Sequence, residues 1–290
     1  MTNNQLISVC IPTYNGEKYL QETLDSVKLQ TYKNIEVIIS DDQSKDRTLE
    51  ICEKFKSEVT FPVYIHCHSP SGIGSNWNNS IEKANGKYIK ILFQDDVMEA
   101  NCIQEMIKYL IDYRLDIVVC KRKIIDAESN EVVDGSWYNN FYDLQKIAGI
   151  DVENFFILSR KNLKNFNFNR YSVDNIIGEP CVSLFTKELV NKIGPFNIHL
   201  KQILDYEYWL RVLVKYDIGI IEKKLIKFRY HEEQTSNINS NDNVDERHII
   251  TNLLYGKLLF YINRDHAKYY LKQKYPLLKK LIALRYKIFQ

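Results

Sequence analysis

The chain has 290 residues, with 39 lysines and arginines against 37 aspartates and glutamates, and so a formal charge of +2. Hydrophobic residues make up 45% and aromatics 12%, which excludes a disordered chain and allows one large core or two modest ones. The near-neutral balance also excludes a general nucleic-acid binder, whose footprint is a strong basic excess.

The first residues, Met1-Thr2-Asn3-Asn4-Gln5, carry no basic segment, and the apolar run at residues 6–11 is shorter than a secretory signal requires. No stretch reaches 18 uninterrupted apolar residues, so no membrane-spanning helix is expected. The cysteines Cys10, Cys52, Cys67, Cys102, Cys120 and Cys181 form no C-x-x-C pair, and several sit in apolar runs such as Val9-Cys10-Ile11. They read as small buried hydrophobes in a reducing compartment, which makes the cytoplasm the expected location.

Residues 6–11 read as a strand, and residues 16–29 as a helix with Tyr19, Leu20, Leu24 and Val27 as its apolar positions. Residues 35–39 form a second strand of continuous Ile and Val, as expected when both faces of a sheet are covered. A helix at 48–55, a strand at 63–67, a helix at 77–84 and a strand at 88–93 follow. This alternation predicts an α/β fold with a mostly parallel sheet flanked by helices. Residues 121–171 are rich in Asn, Asp, Lys and aromatics with weak periodicity, and are expected to hold hairpins or a loop over a site. Order returns near residues 179–185, with helices at 187–193 and 206–215 separated by Gly194-Pro195. A polar linker at 237–243 precedes two or three amphipathic helices.

In open parallel sheets, ligands bind beyond the carboxyl ends of the strands. Two of those ends carry adjacent carboxylates, in Ser40-Asp41-Asp42 and Gln94-Asp95-Asp96. Adjacent carboxylates repel unless a cation or donors satisfy them. A hard divalent cation, Mg²⁺ or Mn²⁺, would relieve one pair and leave sites for phosphate oxygens, while the other could accept from ribose hydroxyls or a base. The competing structural role, capping a helix and shaping a turn, fits Asp46 best. Neither G-x-G-x-x-G nor G-x-x-x-x-G-K-[ST] is present, so no glycine cradle for phosphate is expected.

Five segments, taken in order, resemble the inverting family 2 glycosyltransferases of GT-A fold: Ile11-Pro12-Thr13-Tyr14-Asn15; Asp41-Asp42-Gln43-Ser44-Lys45-Asp46; residues 72–79 and 84–89 followed by Gln94-Asp95-Asp96; Leu204-Asp205-Tyr206-Glu207-Tyr208-Trp209; and Arg229-Tyr230-His231-Glu232. The resemblance covers residues 6–236. It implies a GT-A catalytic domain at 1–236, with a nucleotide-binding half to about residue 120 and an acceptor-binding half at 121–236, followed by a helical extension at 237–290. It also implies a metal-dependent transfer of sugar from a nucleotide diphosphate sugar, UDP-linked, to a hydroxyl of a glycan or lipid-linked glycan in surface polysaccharide synthesis. Pro12, Thr13, Tyr14, Asn15, Asp42, Asn76 and Asp95 would bind the nucleotide. Asp96 and His231 would hold Mn²⁺ or Mg²⁺, and Asp205 would be the catalytic base.

The chain departs from the family pattern at two places. Gln94 stands where a carboxylate often opens the metal motif, and Leu204 stands where Glu-Asp is common, so Asp205 and Glu207 both remain candidate bases. Two residues apart on a helix, they point to different faces. Trp77 and Trp209 read as core, while Trp137 and Tyr138 are either acceptor-facing or structural. Residues 266–290 hold seven Lys or Arg and no acid, with Leu277, Leu278, Leu281, Ile282, Leu284 and Ile288 as an apolar stripe. That pattern suits the inner face of an anionic membrane, packing on the catalytic domain, or a homodimer contact. A nucleotidyltransferase-like enzyme and a catalytically inactive nucleotide-sugar binder are the rival functions.

Overall fold

The computed structural model describes residues 4–165, 175–234 and 246–265, with isolated positions as far as residue 277. The first half alternates strand and helix: β1 (Ile7–Thr13), α1 (Leu20–Lys28), β2 (Ile35–Asp41), α2 (Thr48–Glu58), β3 (Val63–Cys67), α3 (Ile73–Lys83) and β4 (Tyr88–Ile91). Every residue of β1 and of β2 is buried, because helices cover both faces. β1 pairs in parallel with β2 from Ile7↔Ile35 to Thr13↔Asp41, and with β4 from Ile7↔Tyr88 to Cys10↔Ile91. That register brings the ends of β1, β2 and β4 to one edge, so the loops after them meet.

The remaining described elements are β5 (Val97–Met98), α4 (Cys102–Asp112), β6 (Ile117–Ile125), α5 (Ser136–Phe141), α6 (Leu144–Ile147), β7 (Phe155–Leu158), β8 (Ser183–Thr186), α7 (Lys187–Ile193), α8 (Leu204–Leu213), β9 (Ile218–Arg229) and α9 (Arg247–Leu253). The strands run in the order β3-β2-β1-β4-β8-β6-β9-β5, with β7 also on β9. The parallel half expected from the sequence is present. Beyond β4 the sheet becomes mixed: β8 is antiparallel to both β4 and β6, while β6 and β9 are parallel.

The elements absent from the expected set include α4, β6 and β9. α4 carries a plain helical stripe, Cys102, Ile103, Met106, Ile107 and Leu110, all buried. β6 runs on through Lys121-Arg122-Lys123, where charges obscure its strand pattern. β9 spans twelve residues; its first part pairs with β7, and its last part with β5 through Val97↔Lys227. It therefore delivers Arg229 and His231 to the acidic end of the β4 segment.

The core holds Trp77 against Phe93 at 5.1 Å and edge-on to Phe196 at 5.2 Å, with Trp209 fully buried nearby. Both tryptophans are core residues, as expected. Among the described cysteines all six are free thiols, and five are buried. Past the linker, Glu246 accepts hydrogen bonds from the amides of Lys201, Gln202 and Ile203. Ile250, Leu254, Leu258 and Ile262 join the same hydrophobic core. Of the stripe expected between residues 277 and 288, only Leu277 lies among the described residues. No described helix is long and apolar enough to cross a membrane.

Candidate active site

The loops after β1 and β2 are laced by their own polar side chains. Thr13 Oγ1 donates to Asp41 Oδ2 at 2.8 Å, and Asp41 also accepts from the amide and hydroxyl of Ser44. Asp41 is thus fully buried and satisfied within its turn. Asp42 keeps a small exposed edge, and its Oδ1 accepts from the Ser71 amide at 3.2 Å and lies 3.5 Å from His68 Nδ1. His68 Nε2 is 3.1 Å from Asn76 Oδ1, and Asn76 Nδ2 donates to the Thr13 carbonyl at 3.0 Å. Thr13, Asp42 and Asn76 are therefore one network, with His68 as a link that the sequence motifs did not reveal. Pro12 is buried within β1. Tyr14 is 54% exposed and projects from the loop. Asn15, at φ 46°, accepts the Lys45 amide through its side chain and so shapes the loop. Asp46 accepts from the Thr48 amide and hydroxyl, the capping role expected of it.

At the β4 end, Gln94 makes reciprocal hydrogen bonds with the backbone of Tyr14, at 2.8 and 3.0 Å. Its amide does there what a carboxylate could do only in part, since the pair needs a donor as well as an acceptor. Asp95 stays partly exposed, with Oδ2 3.1 Å from His231 Nε2. Asp96 is fully buried; Oδ1 accepts from the Arg229 amide at 3.0 Å, and no N–H or O–H donor reaches Oδ2 among the described residues. Burial first, then the adjacent Asp95 carboxylate, hold Asp96 well above the usual carboxylate range. Arg229 is also fully buried and donates to the carbonyls of Asp95 and Asp126, to Ser129 Oγ and to Glu22. Its guanidinium lies 4.6 Å from the Tyr19 ring, a cation–π contact.

Across the sheet, Asp205 opens α8 and is half-buried. Its Oδ2 accepts from Asn175 Nδ2 at 2.8 Å, and its Oδ1 from the Tyr206 amide at 2.7 Å. Burial, and second the Glu179 carboxylate, push Asp205 up to about 7. Glu207 points elsewhere: it is buried against Arg211 at 2.8 Å, and Arg211 in turn donates to the carbonyls of Ile193 and Pro195. Glu207 thus braces the α7–α8 connection, while Asp205 faces Asn175 and Glu179. Trp137 stacks on Tyr230 at 4.4 Å, which occupies one of its faces.

Sequence motifs passed over Glu179, Arg122 and Asn175. Arg122 is buried on β6 and grips Glu179 through two contacts of 3.2 Å. A carboxylate set between Gly178 and Pro180, at the start of an apolar run, was the available signal.

Asp95, His231 and the buried Asp96 are oxygen and nitrogen donors of the kind that Mn²⁺ or Mg²⁺ takes. Among the described residues no group of three or more His, Cys, Asp or Glu is arranged to hold a metal alone. Asp95, Asp96 and His231 are the residues that would hold a metal, with further ligands from outside this set.

A parallel half-sheet with acidic strand ends, joined to a mixed half bearing a helix-borne carboxylate, defines a GT-A-type α/β fold. The structure of Staphylococcus aureus TarS residues 1–349 in complex with UDP-GlcNAc shares it, with a TM-score of 0.61 at 19% identity over 90% of this chain and 74% of that one. Residues 8–179 match the model for glycosyl transferase family 2. An uncharacterized glycosyltransferase of Rickettsia typhi is 30% identical over 240 residues, covering 81% of this chain and 67% of that protein. The Salmonella typhimurium abequosyltransferase RfbV is 38% identical over 130 residues, 44% of this chain and 39% of its own. The chain belongs to glycosyltransferase family 2. It spans about two thirds of the R. typhi protein and 36% of a Rickettsia felis relative.

Proposed function

We propose that this protein moves a sugar, with inversion, from a UDP-linked donor to a hydroxyl of a glycan acceptor, with Mn²⁺ or Mg²⁺ at Asp95, Asp96 and His231. The observation that carries this reading is Asp205, raised to about 7 in the first turn of α8 and held by Asn175, in a fold whose β4 end carries Asp95, Asp96 and His231. The similarity to TarS, whose structures hold UDP and UDP-GlcNAc, and to an abequosyltransferase supports a nucleotide-sugar donor.

In this reading the exposed Tyr14 ring covers the base, while Asp42 and Asn76, tied through His68, receive the nucleoside. Asp95 and His231 face the diphosphate, and a cation there would offset the charge that develops on the leaving group. Asp205 takes the proton from the acceptor hydroxyl as its oxygen bonds to the anomeric carbon and the bond to the diphosphate breaks. One base suffices for a single displacement, unlike the carboxylate pair of a retaining hydrolase.

Titration calorimetry of UDP with and without Mn²⁺ tests the donor site. The expected result is binding that strengthens with the metal, and metal-independent or absent binding overturns the reading. Asp205→Asn is expected to lower turnover about 10³-fold while UDP affinity persists, within the range for loss of a general base. Near-normal turnover would move the base elsewhere.

A further inference from the structure

Glu179 lies on a constrained turn. Gly178 adopts φ 110°, and a Cβ there would sit 3.1 Å from Val182 Cγ2. The Gly178 carbonyl accepts from Trp209 Nε1 at 2.8 Å and from Asn175 Nδ2 at 3.1 Å, the same amide that binds Asp205. On the other side, Cys181 adjoins Asp96. Asn175 thus ties the turn to Asp205, and the Glu179 charge is felt by both Asp205 and Asp96, with its side chain 25% exposed and paired to the buried Arg122. In the proposed reaction, on which this inference rests, the donor's sugar ring lies between the base and the acidic strand end.

We infer that Glu179 is a specificity residue that accepts a hydrogen bond from a hydroxyl of the donor sugar, so that the site takes an uncharged sugar and rejects a uronic acid. Among the described residues, the neighbouring cations are already engaged. Arg122 is spent on Glu179 and the Phe141 carbonyl. Lys121 pairs with Asp143 at 2.8 Å, and Lys90 is buried against the carbonyls of Ile91 and Cys181. Arg229 is enclosed by Glu22 and backbone oxygens, and His231 faces Asp95. Among the described residues a sugar carboxylate would thus meet Glu179 and Asp205 with every named cation already engaged, and like charges brought together across an interface are costly.

The test titrates the full chain, with Mn²⁺ present, against UDP, UDP-glucose and UDP-glucuronic acid, the last two differing only at C6. The expected result is UDP-glucose binding at least about tenfold tighter than UDP-glucuronic acid, a like-charge penalty of ordinary size. In Glu179→Gln that ratio is expected to narrow about fivefold or more, since the variant removes one opposing charge and leaves the Arg122 guanidinium without its carboxylate. Equal or tighter binding of UDP-glucuronic acid by the native chain overturns the inference, as does an unchanged ratio in the variant. The native comparison stands even if the variant fails to fold. Absence of binding by UDP itself overturns the donor reading, and this inference with it.

Discussion

Asp205 combines two demands that usually conflict, partial burial and ionisation. Desolvation, followed by the Glu179 charge, lifts its carboxyl to about 7, where a carboxylate can accept a proton and is about half ionised near neutral pH. In the proposed reaction the ionised form accepts the proton, so kcat/KM is expected to rise with pH and level off above about 7. A pH–rate profile flat from about 5 to 9 would contradict that assignment. The same shift has a stability sign. A carboxyl raised in the folded state stabilises the protein below its ordinary value of 3.8, and that contribution is lost as pH rises to about 7. Asp205→Asn does not titrate, so its melting temperature should gain on the native protein between those values and hold the gain at higher pH. Thermal melts across that range check it.

Arg229 works at the same scale but as scaffold. Its side chain fills acceptors from Asp95, Asp126, Ser129 and Glu22, and its amide holds Asp96. Arg229→Met should cost about 3–5 kcal/mol, the usual loss when one partner of a buried charged group is removed. It should also weaken metal-dependent UDP binding, because Asp95 loses its anchor. Denaturant unfolding and calorimetry read the two effects separately.

At the scale of elements, the close seating of β4 against β1 governs where the acidic end lies. A Cβ on Gly86 would fall 2.6 Å from Ser8 Oγ, 2.7 Å from the Ser8 nitrogen and 2.9 Å from the Leu6 carbonyl. The buried Glu36 carboxylate seals this joint by accepting from Ser8, Asn85 and Gly86. Backbone cannot yield as a flexible side chain can, so Gly86→Ala should destabilise by about 1–3 kcal/mol. An unchanged urea midpoint would argue against the joint as described. β6 shows why half of this sheet was hard to read. Lys121, Arg122 and Lys123 interrupt its apolar run, yet each is paired, with Asp143, Glu179 and Glu99. Those partners are remote in sequence, so the pattern looked like a polar loop. α4 differs, because its i, i+4 stripe was legible from the residues themselves.

For the whole molecule, the stretch at 246–262 packs four described side chains into the core. Ile250, Leu254, Leu258 and Ile262 are buried there, and Glu246 satisfies the amides leading into α8. Since each fully buried aliphatic side chain contributes about 1.5–3 kcal/mol, truncation after residue 245 should lower the melting midpoint sharply or abolish soluble yield. A truncated chain as stable as the full one would show that this packing contributes little. Ligand linkage acts on the same global equilibrium. UDP with Mn²⁺ at about 100 times its Kd should add ~2.7 kcal/mol, seen as a rise of several degrees in the melting temperature.

The amino-acid sequence by itself determined the parallel half-sheet and the chemistry at its end. Continuous Ile and Val in β1 and β2 demand burial on both faces, and parallel strands must then present their following residues, among them Thr13, Asp42 and Asp95, along one edge. Only the tertiary structure decided how those residues divide their work. It buried Asp96, left Asp95 facing His231, turned Glu207 onto Arg211 and set Asp205 beside Glu179. The reason is physical: a carboxylate's role depends on which donors and charges reach it, and here those arrive from strands and turns far along the chain.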